Sequence, residues 1–180
     1  MSTFHHRKPL RAKFHDYSGG CYFITICTQK RKHYFGEIDN AQMFLSSIGQ
    51  YCEQQFETLR MHYPYAKTLS WVIMPNHIHA IIEINGDKKD RLGRTIHTAT
   101  QWDPLLDNPL PQPLQQTVLG IVVRGLKRDV TLFAKQNNIE FGWQTRYHDH
   151  IIRGTYDGNL IAEYIENNIA RWEQDCFHNT

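Results

Sequence analysis

The chain has 180 residues, of which 41% are hydrophobic, and a formal net charge of +2. This length supports a hydrophobic core, so we predict a single domain over residues 1–180. No apolar run approaches a membrane span, and the basic N-terminus lacks the apolar stretch of a secretory signal, so a cytoplasmic location is expected. The four cysteines form no C-x-x-C pair, which argues against a zinc ribbon or a disulfide framework.

The first half of the chain predicts a strand, a helix and two further strands. Residues 21–30 (CYFITICTQK) are rich in aromatic and β-branched residues, which predicts a strand. Residues 39–60 carry apolar residues at helical spacing, with Asp39 or Asn40 as the N-cap. Two apolar runs, TLSWVIM and HIHAIIEI, flank Pro75 and Asn76 and predict adjacent strands joined by a tight break.

The second half of the chain begins with a polar segment. Residues 87–116 contain four prolines and no sustained periodicity, so we predict a flexible insertion loop there. A long helix is predicted over 117–138, in which Gly120 and Gly125 either weaken the helix or permit a close backbone approach. A short strand at 147–153 and a last helix over 157–173, with Asp157 as its N-cap, follow.

The predicted element order is β-α-β-β-α-β-α. This order suggests a mostly antiparallel sheet and an α+β fold. The prediction is a ferredoxin-like antiparallel sheet with helices on one face.

Two histidines one residue apart, His77 and His79, suggest a metal site. Residues i and i+2 of a strand share a face, so both imidazoles project together while Ile78 faces the core. Two imidazoles make half of a metal site, and a third ligand has to come from elsewhere. The alternative is a chance pair of hydrogen-bonded histidines in a chain that has 11 of them. A histidine-triad nucleotide hydrolase is disfavoured because Ile81 occupies the position of its third histidine.

The last predicted helix carries Tyr164 and Asn168 four residues apart, and therefore on one face. A tyrosine beside a metal can attack a phosphodiester, because the metal polarises the phosphoryl oxygen. An asparagine oxygen can complete the metal ligands. The alternative is a tyrosine that packs at the edge of the core with its hydroxyl in solvent.

Basic residues cluster at 7–13, 30–33, 88–94 and 124–128. Such clusters can follow a phosphate backbone, although an ordinary solvated surface explains any single one of them.

Taken together, these motifs resemble those of the single-tyrosine HUH transposases, and most closely the REP-associated tyrosine transposases. The histidine motif of that family is similar to MPNHIHAIIEI, and its tyrosine motif, Y-I-x-x-N-P, is similar to YIENNI, with Ile169 in place of proline. Further similar stretches are SGGCYFITICTQKRKHYFGEI, VLGIVVRGLKRDVT and WQTRYHDHIIRG. The resemblance covers nearly the whole chain except the extreme N-terminus and residues 87–116.

The resemblance implies an HUH endonuclease and transposase fold and an enzyme that nicks and transfers single-stranded DNA at hairpin or REP-type sequences. It implies that His77, His79 and Asn168 hold a divalent metal, Mg²⁺ or Mn²⁺. It also implies that Tyr164 attacks the DNA phosphate and forms a 5′-phosphotyrosine intermediate.

Other positions have supporting roles in this hypothesis. His150, on the short strand, is a candidate partner that orients a metal ligand. The candidate phosphate contacts follow the first strand or lie in the second long helix; they are Lys30, Arg31, Lys32, Arg124, Lys127 and Arg128.

Two other functions stay open at this point. One is a non-catalytic protein that binds DNA hairpins. The other is a small metal-dependent phosphoesterase, which would not need Tyr164. The sequence leaves the choice between a monomer and a homodimer open.

Overall fold

A computed structural model describes residues 19–85 and 117–178. The strands are β1 (Gly20–Cys27), β2 (Gly36–Asp39), β3 (Gln42–Leu45), β4 (Ala66–Met74), β5 (His77–Ile84) and β6 (His148–Ile151). The helices are α1 (Ser47–Glu57), α2 (Leu59–His62), α3 (Val118–Gln136) and α4 (Gly154–Glu166). Short 3-10 turns lie at Gln29–Arg31 and Trp172–Gln174.

The central sheet has four antiparallel strands in the order β4-β5-β1-β6. β4 and β5 form a hairpin through Pro75 and Asn76, and β5 also pairs with β1 along its whole length. This order is that of a ferredoxin-like sheet, which confirms the predicted α+β fold.

The two faces of this sheet carry different helices. Alternate β5 residues such as Ile78 and Ile82 belong to the larger core, together with the buried residues of α1 and α3. On the other face, Ile81 packs with Ile165 of α4 and with Trp172. The prediction of helices on one face therefore describes α1 and α3, whereas α4 covers the opposite face. The reason is that β5 is buried on both faces over most of its length.

The predicted helix over 39–60 is wrong in its first third, where β2 and β3 form a two-stranded hairpin. Asn40 and Ala41 turn the chain with φ of 48° and 57°, a left-handed pair typical of a tight hairpin turn. Neither Asp39 nor Asn40 caps α1. Ser46 is the N-cap, and its hydroxyl accepts a hydrogen bond from the Gly49 amide at 3.1 Å.

The predicted last helix is displaced towards the N-terminus and is shorter than expected. It begins after Arg153 and ends at Glu166, so Asp157 lies inside its first turn and is not the N-cap. The Asp157 carboxylate instead reaches back and accepts a hydrogen bond from the Arg153 amide at 3.0 Å. The chain then continues through turns to the 3-10 turn at Trp172–Gln174.

α3 agrees with its prediction to within two residues at either end, with Thr117 as the N-cap. Gly125 permits a close approach, because a Cβ built there would lie 1.6 Å from the Tyr63 hydroxyl oxygen. Gly125 is therefore present because it permits a close approach: the ring of Tyr63 occupies the space that a side chain at this position would fill.

Gly125→Ala should destabilise the protein. Alanine gains about 1 kcal/mol of helix propensity, but overpacking a filled site costs about 1–3 kcal/mol. We expect a net loss of about 1 kcal/mol in urea unfolding. In a Tyr63→Phe background, which removes the closest atom, the loss should be smaller. A more stable Gly125→Ala protein would show that Tyr63 moves aside without cost.

Within residues 19–85 and 117–178, no helix is both long and apolar enough to cross a bilayer. The predicted insertion loop at 87–116 and the basic clusters at 7–13 and 88–94 lie outside the described residues. The single-domain organisation over residues 1–180 stays a prediction.

Candidate active site

The register of the sheet places His77 and His79 on the face that α4 covers. His77 lies opposite Cys27 of β1, and His79 lies opposite Thr25. Both rings are buried, whereas Ile78 between them points into the larger core. The two imidazoles share one face, as the alternation of a strand predicts, and their ring centroids lie 4.6 Å apart.

Burial keeps both imidazoles neutral at physiological pH. It lowers the pKa of His77 to about 2, with smaller contributions from His79 and Arg31. It lowers the pKa of His79 to about 3, with a smaller contribution from His148 across the sheet. A neutral imidazole has one nitrogen with a free lone pair, which is the form that binds metals.

Each histidine has a polar partner at Nδ1. His77 Nδ1 lies 2.8 Å from Asn76 Oδ1, and His79 Nδ1 lies 2.9 Å from Thr25 Oγ1. The two Nε2 atoms differ. His79 Nε2 contacts the Tyr164 hydroxyl, whereas His77 Nε2 is buried without a hydrogen-bond partner in the described part of the chain.

Tyr164 projects from the last turn of α4 onto the histidines. Its hydroxyl oxygen lies 3.1 Å from His79 Nε2, and its ring packs edge-on against Phe23 of β1. The side chain is 41% exposed, so the hydroxyl sits at the border between the buried histidines and solvent. Partial burial raises the pKa of Tyr164, and a hydrogen bond with the Asn168 side chain acts in the opposite direction.

Asn168 follows α4 and is buried. Its backbone N–H donates a hydrogen bond to the Ile165 carbonyl at 3.2 Å. Its side-chain oxygen, Oδ1, has no hydrogen-bond partner among residues 19–85 and 117–178. A buried acceptor without a donor is costly, so this atom and His77 Nε2 are two lone pairs that a cation would satisfy.

Sequence reasoning missed Asp175. It follows the 3-10 turn at Trp172–Gln174, and its Oδ2 lies 3.9 Å from His77 Nε2. One ligand atom from each of His77, His79 and Asp175 lies within 4.8 Å of the other two. The short polar segment around Asp175 has no periodicity, so no local pattern in the sequence could have placed Asp175 beside β5.

These residues fit a divalent cation. Two neutral imidazoles, a carboxylate and an amide oxygen form a mixed nitrogen and oxygen set, which suits Mn²⁺ and several other first-row metals. The two unpartnered acceptor atoms are the structural reason to expect an ion here.

A small pocket of about 280 Å³ opens beside the tyrosine. Its lining comes from α4 and the segment after it: Tyr164, Asn168, Arg171, Gln174, Asp175 and Cys176. The pocket gives a ligand access to Tyr164 from solvent.

His150 of β6 lies directly opposite Phe23 of β1, so the two side chains share one face of the sheet. Its Nε2 lies 3.0 Å from the Asp157 carboxylate at the start of α4. This hydrogen bond is to neither His77 nor His79. The structure thus joins His150 to the start of the tyrosine helix.

Of the three basic residues after β1, Arg31 lies close to a candidate metal ligand. The Arg31 guanidinium stacks on Phe177, 3.8 Å from its ring centre, and Phe177 in turn packs on His77. Lys30 is exposed, with a left-handed φ of 53°. Lys32 is paired with Glu140.

The three basic residues of α3 lie on the face of the sheet opposite the histidine pair, because α3 packs against that face. Arg124 is exposed, and Arg128 is paired with Asp129 at 2.9 Å. Lys127 is partly buried and donates to the Gln144 carbonyl at 2.6 Å. The structure does not bring these three residues to the histidine pair.

No family model matches the chain. A protein of unknown role from Haemophilus influenzae strain Rd is 41% identical over 174 residues, covering 95% of this chain and 92% of that protein. A second protein from the same strain, provisionally named a REP-associated tyrosine transposase, is 28% identical and covers 89% of this chain and 81% of its own length.

A solved structure of a REP-associated tyrosine transposase bound to a REP hairpin has the same fold. It superposes with a TM-score of 0.54 at 17% identity and covers 86% of this chain and 68% of that one. At 17% identity, this match shows a shared fold and nothing more. The two Haemophilus influenzae proteins are similar in sequence over 95% and 89% of this chain. The fold, the 28% identical relative and the motifs point the same way, and the chain resembles the REP-associated tyrosine transposases.

Proposed function

We propose that this protein nicks and rejoins single-stranded DNA at hairpin sequences, with Tyr164 as the nucleophile. The solved transposase that shares its fold is bound to a REP hairpin, which supports a hairpin substrate for this chain. The observation that carries the proposal is the 3.1 Å contact between the Tyr164 hydroxyl and His79 Nε2, because it joins a nucleophile to a candidate metal ligand.

The chemistry is an exchange of one phosphodiester for another. The Tyr164 oxygen bonds to phosphorus and gives up its proton, the bond from phosphorus to the 3′-oxygen breaks, and that oxygen leaves as a 3′-hydroxyl. The 5′-phosphate stays on the tyrosine. Attack by a 3′-hydroxyl reverses the step, so the strand is resealed or transferred without ATP because one phosphoester bond replaces another.

His77 and His79 would hold a divalent cation, Mg²⁺ or Mn²⁺, with Asn168 or Asp175 as the third ligand. When bound, such an ion neutralises charge on the phosphoryl oxygens. Asn168 has a second role in this proposal, because its hydrogen bond to Tyr164 opposes the rise in the tyrosine pKa that burial causes. This bond would stabilise the phenolate oxygen as the proton leaves.

The basic residues after β1 and on α3 are proposed as phosphate contacts. Lys30, Arg31 and Lys32 would position the strand next to the site, since Arg31 lies beside Phe177 and His77. Arg124 and Arg128 would extend the positive surface on the α3 side. Lys127 would contribute least, because its ammonium group is already bound to the Gln144 carbonyl.

The test is an adduct assay on hairpin oligonucleotides labelled at either end. With Mn²⁺, we expect a covalent adduct with the fragment on the 3′ side of the break, absent in EDTA, and mass spectrometry should locate it on Tyr164. Hairpin binding without an adduct under any metal would indicate a non-catalytic DNA-binding protein. Phosphoester hydrolysis without an adduct would indicate a phosphoesterase.

A further inference from the structure

The turn between β4 and β5 contains a fully buried polar residue, Asn76. Its backbone carbonyl accepts a hydrogen bond from the Thr28 amide at 2.9 Å, so the position of the residue is fixed by the end of β1. Its side chain lies between His77 and the carbonyl of Phe177. A buried amide in such a place requires a reason, because an apolar residue would cost less to bury.

The neighbours of Asn76 determine which way its amide points. Its Nδ2 lies 2.9 Å from the Phe177 carbonyl oxygen, which can only accept a hydrogen bond. The amide nitrogen therefore has to face Phe177, and Oδ1 has to face His77 Nδ1 at 2.8 Å. An amide oxygen can only accept, so His77 carries its proton on Nδ1.

This assignment leaves the other nitrogen of His77 unprotonated. In a neutral imidazole, a proton on Nδ1 leaves a free lone pair on Nε2. That lone pair is the buried atom without a hydrogen-bond partner in the described chain, and Asp175 Oδ2 lies 3.9 Å from it. If the proton were on Nε2, it could point towards Asp175; the amide of Asn76 prevents this.

His79 is not fixed in the same way. Its Nδ1 contacts the Thr25 hydroxyl and its Nε2 contacts the Tyr164 hydroxyl, and either hydroxyl can donate or accept. The Thr25–His79–Tyr164 chain is therefore compatible with both tautomers, whereas the Phe177–Asn76–His77 chain is compatible with one.

We propose that Asn76 is a positioning residue that fixes the Nδ1-protonated tautomer of His77 and so presents Nε2 to a divalent cation. This proposal deepens the proposed function and rests on it only for the identity of the ligand. Residues that hold the second nitrogen of a metal-bound histidine commonly change metal affinity by 10–100-fold when they are replaced.

The first test is the tautomer of His77 in the metal-free protein, read from ¹⁵N chemical shifts of the imidazole nitrogens. In wild type we expect the proton on Nδ1. Asn76→Leu, which has a similar volume and no acceptor, should populate the Nε2-protonated form. Asn76→Asp keeps the acceptor and should keep the wild-type tautomer, although it loses the donor to Phe177.

The second test is Mn²⁺ affinity of the same proteins by calorimetry. We expect a loss of about 10–100-fold for Asn76→Leu and a change of only a few-fold for Asn76→Asp. Asn85→Leu is the matched control and should resemble wild type, because Asn85 is exposed and lies just beyond the far end of β5.

Three results would overturn the proposal: an Nε2 proton on His77 in wild type, an unchanged tautomer and affinity in folded Asn76→Leu, or loss of the wild-type tautomer in Asn76→Asp. The first and third apply even if Asn76→Leu does not fold. A wild-type protein with the expected tautomer and Mn²⁺ affinity but no DNA adduct would disprove the proposed function and leave the role of Asn76 intact.

Discussion

Replacing Tyr164 by phenylalanine should abolish the covalent DNA adduct and reduce hairpin cleavage by at least about 10³-fold, because no other group takes over a lost nucleophile. Hairpin binding should change little, since the ring and its packing against Phe23 are retained. Denaturing gels measure cleavage, and a mobility shift measures binding.

Tyr156→Phe is the matched control for this experiment. Tyr156 lies on the same helix, α4, but its side chain is 78% exposed and its replacement removes the same hydroxyl from a site away from the histidines. It should cleave like wild type. Cleavage at the wild-type rate by Tyr164→Phe would refute the tyrosine mechanism and favour a metal-dependent phosphoesterase.

His77→Ala should abolish the stabilisation of the protein by Mn²⁺ and, with it, DNA cleavage. At a hundredfold excess over its Kd, a ligand stabilises the folded state by about 2.7 kcal/mol, which raises the Tm of a domain of this size by roughly 5–10 °C. Wild type should show this increase and the variant should not. We expect cleavage to fall by at least about 10²-fold, because the charge neutralisation is lost.

The control is His62→Ala, because His62 is exposed at the end of α2. It should retain both the metal-dependent increase in Tm and cleavage. Removal of the buried His77 ring also creates a cavity, so His77→Ala will have a lower Tm than wild type without metal. The comparison therefore uses the change on adding Mn²⁺ within each protein. An equal increase in His77→Ala would place the ion elsewhere.

The parts of the fold that the sequence predicts well are those with strong local signals. The alternation around His77, Ile78 and His79 correctly put both imidazoles on one face, because side-chain direction in a strand depends only on residue parity. α3 was also predicted well, since its apolar stripe and its cap, Thr117, agree.

The predictions that failed depended on turns whose conformation the pattern does not reveal. Residues 39–45 have apolar residues that fit a helix, but Asn40 and Ala41 adopt left-handed conformations and fold the chain into a hairpin. The sequence pattern is compatible with Asn40 as a helix cap, but asparagine favours such turns equally.

The candidate site was predicted only in part for a related reason. Tyr164 and Asn168 could be paired with the histidines through their spacing and the family motif, whereas Asp175 reaches His77 only through a tertiary contact. Asn76 adjoins His77 in the chain, but its role depends on the Phe177 carbonyl, which is 101 residues away.

The contact between Tyr164 and His79 lies within one chain, and this has a consequence for stoichiometry. Under the proposed function, one protomer owns a complete set of reacting groups and is sufficient for one break. Moving a DNA segment requires two breaks, which leave two 5′ ends, and one tyrosine can be bonded to only one 5′ end at a time. Nicking and resealing should therefore be first order in protein, whereas release of a segment with both 5′ ends bonded at once should require two copies and rise with the square of their concentration.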